Sequence, residues 1–283
     1  MSRYGAAVGY RASRTLALRV EVRRQLRRRR TQLTLAFLVL LPGLLALAFL
    51  LGPQARPAAG GPSLVDLATQ GAANFTLFTL FAATGFLLVV VVALFAGDSV
   101  AAEASWSTLR YLLAAPVPRS RLLRQKLIVA LAFSGFSLLL LPVASLLIGW
   151  AAFGWATVRS PLGSSLSTPQ ALVRLLVIVA YLAVALFFVA ALGFLIGVYT
   201  DAPLGAVGGA VLLVIVSNIL DAVTALGGVR SFLPTHYLYS WLDALGPDIA
   251  WDGMARGALL SVAYSAVLLV AAWRHFLRKD IVS

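Results

Sequence analysis

Six stretches without a single charged side chain limit what this chain can fold into. They cover residues 31–55, 67–97, 127–158, 175–200, 202–220 and 257–273, or 25, 31, 32, 26, 19 and 17 residues. A helix that crosses the ~30 Å hydrocarbon core of a bilayer needs about 20 apolar residues, within a range of roughly 17–25. All six qualify by length. The composition agrees: of 283 residues, 61% are hydrophobic and 12% charged, with a mean hydropathy of +0.93. A soluble domain carries about 25% charged residues. One aqueous core cannot hide this much apolar surface, so the chain needs a bilayer as solvent.

The net charge of +13 would suit a nucleic-acid partner if it were spread evenly. It is not. Ten Arg lie in the first 30 residues against one acid, Glu21. Residues 98–126 hold five basic residues and two acids, and Arg274, Arg278 and Lys279 follow the last run. These three segments carry 18 of the 23 basic residues. The alternate loops hold Arg56, Arg159, Arg174, Arg230 and Arg256. This is the positive-inside asymmetry. It places both termini and the middle loop in the cytoplasm, as an even number of spans requires, and it excludes nucleic acid as the partner.

The expected fold class is an all-α membrane protein. Residues 1–31 form a basic cytoplasmic segment, 32–274 a six-helix transmembrane domain, and 275–283 a cytoplasmic tail. The spans fall at about 32–51, 72–97, 127–153, 172–199, 204–226 and 257–274. The first run reads as a retained signal anchor. Before it, Leu16 with Val20, and Leu18 with Val22 and Leu26, form i, i+4 rows. They suit an amphipathic interfacial helix that turns its Arg side chains towards anionic headgroups; a topogenic basic tail is the plainer reading. Pro42 and Pro142 predict local kinks, which membrane helices tolerate when neighbours satisfy the freed carbonyls. Gly193 with Gly197, and Gly205 with Gly209, flank a minimal turn at 200–203. Small residues four apart let backbones approach closely, so helices four and five are expected to pack as a hairpin. Residues 227–256 include Phe232, Tyr237, Tyr239, Trp241 and Trp251. They predict a short interfacial or re-entrant helix anchored by its aromatics.

Enzyme signatures are missing. Neither Lys126 nor Lys279 follows a glycine, so there is no phosphate-cradling G-x-x-x-x-G-K-[ST] loop. The two histidines, His236 and His275, are isolated, and with no cysteine there is no thiolate site. The chain is expected to carry no catalytic, cofactor or metal residues. Asn218 and Asp221 end the fifth run. An ionisable residue at a membrane helix is a path candidate, and the alternative is a solvated helix-end acid paired with Arg230.

The second basic segment is the most informative. Ala102, Trp106, Leu109 and Leu113 share one helical face, with Glu103 and Arg110 beside it, and Pro116 and Pro118 end the helix. An exposed apolar stripe with Trp needs either a protein partner or the headgroup layer. The run Glu103…Ser107-Thr108-Leu109-Arg110-Tyr111-Leu112-Leu113…Pro116…Pro118-Arg119-Ser120…Leu122-Leu123…Lys126 resembles the signature of the ABC-2 type transporter permeases. In that family it reads E-x-x-x-G-T-L-x-x-L-L-x-x-P-x-x-R-x-x-L-L-x-x-K. Ser107 departs from it, standing where glycine is usual. Leu233-Pro-Thr-His-Tyr-Leu238 and Phe276-Leu-Arg-Lys-Asp-Ile281 are similar to the family as well.

The resemblance implies a permease subunit of an ATP-binding cassette exporter in a bacterial cytoplasmic membrane. It implies a coupling helix between spans two and three, comprising Ala102, Glu103, Trp106, Thr108, Leu109, Arg110 and Leu113. That helix would dock on one of two separate ATPase subunits, which hold the ATP and Mg, while a second permease copy completes a dimer set among membrane lipids. The N-terminal basic helix would be the family's interfacial connecting helix. The apolar spans themselves suit an amphipathic drug, an antibiotic or a lipid as cargo, with ions and copper-enzyme maturation factors left open. The alternative function is a secondary carrier or channel with no ATPase, and an ATPase gene beside this one would discriminate the two.

Overall fold

The computed structural model describes residues 18–52, 63–105, 118–160, 163 and 165–278. In chain order the helices are α1 (Leu18–Leu26), α2 (Arg29–Leu51), α3 (Leu64–Leu67), α4 (Ala72–Thr84), α5 (Leu87–Ser105) and α6 (Arg119–Phe153). They continue as α7 (Thr168–Ala185), α8 (Phe187–Tyr199), α9 (Pro203–Ala222) and α10 (Trp251–Arg278). Two-residue strands β1 (Val158–Arg159) and β2 (Ser165–Leu166) pair antiparallel between α6 and α7. Tight 3-10 turns at Thr224–Phe232 and Ser240–Leu245 fill the connection from α9 to α10.

Five units are long and apolar enough to cross a membrane: α2, α6, the collinear pair α7–α8, α9 and α10. The pair α4–α5 makes a sixth when counted as one span, but it bends by 59°. The protein is therefore a multi-pass helical membrane protein. Its helices are not uniform rods: α6 runs for 35 residues, about 52 Å at 1.5 Å per residue, well beyond the ~30 Å hydrocarbon core.

The breaks do not fall at the prolines. Helices α2 and α6 run through Pro42 and Pro142, both of which are buried. The interruptions come at Gly85–Phe86 and at Leu186, and in each case a C-terminal side chain meets the loosened backbone. At Leu186, Ser261 Oγ of α10 donates to the Val184 carbonyl at 2.6 Å and accepts from the Phe188 N–H at 3.2 Å. One hydroxyl thus satisfies both a freed acceptor and a freed donor, which a bilayer would leave unmatched. At the other break, Tyr239 Oη lies against Gly85, and a Cβ there would collide with it.

The core centres on α5, whose residues from Leu88 to Ala102 are nearly all buried. A helix apolar all round is an interior helix. It packs against α6, α8 and α9. The closest approach is at Gly97: a Cβ on Gly197 would stand 2.5 Å from the Gly97 carbonyl oxygen, and one on Gly97 would stand 3.3 Å from Ala206. The Gly193–Gly197 stripe therefore serves the α5–α8 contact. Its nearest neighbours are Ala93 and Gly97 of α5, whereas Gly209 of the other pair touches Ile196 of α8 in ordinary contact at 3.5 Å. Helices α8 and α9 do form a hairpin, and α5 lies against both.

At the end away from the basic segments, Asn74 clamps the strand pair. Its Nδ2 donates to the Arg159 carbonyl at 2.7 Å, and its Oδ1 accepts from the Arg159 N–H at 3.2 Å. The aromatic segment 227–256 takes a different form from the single short helix read from the sequence. It is two 3-10 turns followed by the start of α10: the first turn has no buried residue, and the second packs into the bundle with Trp241 fully buried. Arg174 of α7 donates to the carbonyls of Ala244, Gly246 and Pro247, and Tyr181 donates to the Tyr237 carbonyl. Partial burial raises the Tyr239 phenol above its ordinary value of 10.0.

Candidate functional site

The three basic segments converge. The guanidinium of Arg28 reaches Asp98 Oδ2 at 2.9 Å, and that of Arg30 reaches Oδ1 at 3.2 Å. Asp98 belongs to α5, which continues through it to Ser105, beyond the charge-free run that ends at 97. Its side chain is only 5% exposed. Nearby in the fold, Glu21 Oε1 of α1 meets Lys126 Nζ of α6 at 2.5 Å, with both side chains buried. Arg24 adds a looser contact to Glu21 at 3.7 Å. At the same end Arg119 donates to the Leu277 carbonyl of α10 at 3.5 Å. The ends of α1, α2, α5, α6 and α10 are thereby joined by charge-assisted contacts.

Helix α1 docks with its polar side inward. Glu21 and Gln25 are buried, while Leu18, Val20 and Leu26 are exposed. This follows from Lys126: an ammonium buried among apolar helices needs a carboxylate, and Glu21 is the only acid in the first 30 residues. The sequence held the clue, since it has one acid among ten Arg and two Lys in the whole chain. Periodicity of apolar residues did not register it.

The expected coupling segment is described at its two edges. Ala102 is buried inside the chain's own fold. The Glu103 side chain and Trp106, Thr108, Leu109, Arg110 and Leu113 lie outside the described residues. On the far side Pro118 precedes α6, Leu122 and Leu123 enter the core, and Lys126 takes its place in the ion pair. The described part of α5 thus ends about two helical turns beyond the crossing at Gly97, and the chain resumes at a helix pinned to α1.

The second candidate pair sits at the opposite end of α9. Asp221 Oδ1 contacts His236 Nδ1 at 2.5 Å and Arg230 Nε at 3.6 Å, with its side chain 25% exposed. The expected Arg230 partner is present, and His236 is closer. Asn218 lies one turn earlier and is partly exposed. Ser217 beside it is buried and shares a hydrogen bond with Thr235 at 2.8 Å. This arrangement ties the end of α9 to the aromatic cap. Among the described residues, no group of three or more His, Asp or Glu could hold a metal ion.

Residues 64–282 match the family described as protein of unknown function (DUF2705), and the chain belongs to that family. Among curated proteins nothing matches it.

Proposed function

We propose that this member of the DUF2705 family is the membrane-spanning permease subunit of an ATP-driven exporter whose ATPase is a separate chain. The observation that carries the reading is the segment from Glu103 to Lys126, with its resemblance to the ABC-2 permease signature. Its setting supports the assignment. The segment joins α5, the innermost helix, to α6, the longest, and a buried ion pair stands near either root. A push on such a loop reaches the core directly.

In this reading Trp106, Leu109 and Leu113 present an apolar face to a groove of the ATPase, with Glu103, Thr108 and Arg110 at its rim, and Ala102 anchors the root of the segment in the chain's own fold. The burial of Ala102 moves the centre of that face towards Trp106. Nucleotide-driven closure of two ATPases, which bind the ATP and Mg, displaces the segment and alternates exposure of a path between two permease copies. Asn218 and Asp221 stand at the far mouth. Lysine supplies no phosphate loop here, so hydrolysis belongs to the partner.

Trp106 is the anchor to test. Truncating a buried interfacial aromatic costs roughly 2 kcal/mol or more. An ATPase encoded beside this gene, co-expressed with it, should co-purify with wild type and be largely lost from Trp106→Ala at equal membrane expression. Arg110→Ala should lose less, because a rim charge is partly solvated. Equal retention by wild type and Trp106→Ala, with hydrolysis still responsive to cargo, overturns the docking role.

A further inference from the structure

We infer that the groove between the ends of α8 and α10 binds the headgroup and upper chain of an anionic phospholipid in the leaflet at the basic end. The inference rests on the membrane-spanning fold and stands apart from the transporter reading. The groove has a volume of about 640 Å³. Its polar end carries Arg274, His275 and Arg278, its wall carries Val267 and Val270, and Tyr199 of α8 closes it.

Three features select the occupant. The first is charge: among the described residues two guanidinium groups and an imidazole line the groove and no acid does. A phosphodiester without a compensating amine meets that set with charge-assisted hydrogen bonds, whereas the quaternary ammonium of a zwitterionic lipid would face like charge. The second is length. From Val267 to Arg278 along α10 is about 16 Å, half the ~30 Å hydrocarbon thickness and therefore one leaflet. Val267 is 70% exposed and Val270 50%, so the apolar wall is open to the side, as a chain entering from the bilayer requires. The third is rigidity. His275 stacks on Tyr199 with centroids 3.8 Å apart and planes at 14°, so α8 and α10 hold the groove open as one face. A basic pocket at the end of neighbouring helices is the recurring form of such sites.

The purified full chain in detergent, titrated with phosphatidylglycerol or phosphatidylcholine and read by native mass spectrometry, tests this. Wild type should hold one phosphatidylglycerol at least ten-fold more tightly than phosphatidylcholine. The double variant Arg274→Gln/Arg278→Gln should lose that preference. Arg23→Gln/Arg27→Gln, which removes the same charge from exposed positions on and just after α1, should keep it. Val270→Trp, which keeps every charge and fills the wall, should weaken phosphatidylglycerol several-fold. Equal affinity for the two lipids in wild type overturns the site, as does an equal loss in both double variants, which marks a response to net charge alone.

Discussion

Two ends of the molecule use the same chemistry at different depths. At the basic end, Asp98 is held by Arg28 and Arg30 with its side chain 5% exposed. At the other end, Asp221 is held by His236 and Arg230 at 25% exposure. Each is a carboxylate between two nitrogen-bearing side chains, two guanidinium groups at Asp98 and a guanidinium and an imidazole at Asp221. The difference is water. A buried charge that loses its partner keeps its desolvation penalty, whereas an accessible one recovers hydration. The basic end is therefore the rigid foundation of the fold, and the opposite end is a latch.

The largest effect should come from the double variant Arg28→Ala/Arg30→Ala, which leaves the buried Asp98 carboxylate without its two guanidinium partners and should cost about 3–5 kcal/mol. Reversible unfolding in mixed micelles measures it, and a loss under about 1 kcal/mol would erase the contrast between the ends. Next come Glu21 and Lys126. Glu21→Leu or Lys126→Met alone should destabilise strongly, while the double variant should recover much of the loss, because two well-packed apolar residues replace a buried pair at little cost. Additive losses in that cycle would show that the two side chains do not couple.

Asp221→Asn should cost about 1 kcal/mol or less. Its effect should shrink in high salt, since exposed charges are screened beyond ~10 Å at 0.1 M, whereas the effect of removing the partners of Asp98 should not. Equal salt sensitivity at the two sites would count against the distinction. The smallest effect belongs to Asp66 in the short helix α3. The Ser63 hydroxyl and N–H hold its carboxyl below the ordinary 3.8. A lowered folded value stabilises fully above that ordinary value and is lost as pH falls through the folded one. A slight acid-side loss of stability should therefore disappear in Asp66→Asn.

That the chain is built of several apolar helices long enough to cross a membrane was legible in the sequence, because bilayer thickness acts on every residue of a run. Asp221 with Arg230 was legible too, being local along the chain. What escaped was tertiary. Pro42 and Pro142 drew attention, yet the helices break at Gly85–Phe86 and Leu186, where Tyr239 and Ser261, distant in sequence, satisfy or fill the loosened backbone. The glycine stripe at 193 and 197 was visible, but spacing says that a backbone comes close without saying which one, and α5 rather than α9 supplies the closest contact. The Glu21–Lys126 pair joins residues 105 apart, and no periodicity reports such a distance.

The crossing at Gly97 has a mechanical meaning. Where side chains separate two helices, rotamers can change and the helices can slip by fractions of a turn. At Gly97 the backbone of α5 rests on Gly197 of one neighbour and Ala206 of another, so there is no such slack to absorb displacement. Turning α5 about its own axis would drive Ala96 or Asp98 into a backbone. The permitted movement is a tilt of α5, α8 and α9 together, like spokes fixed at one hub. A force applied beyond Ser105 thus acts on a lever of three helices whose fulcrum is the backbone contact at Gly97.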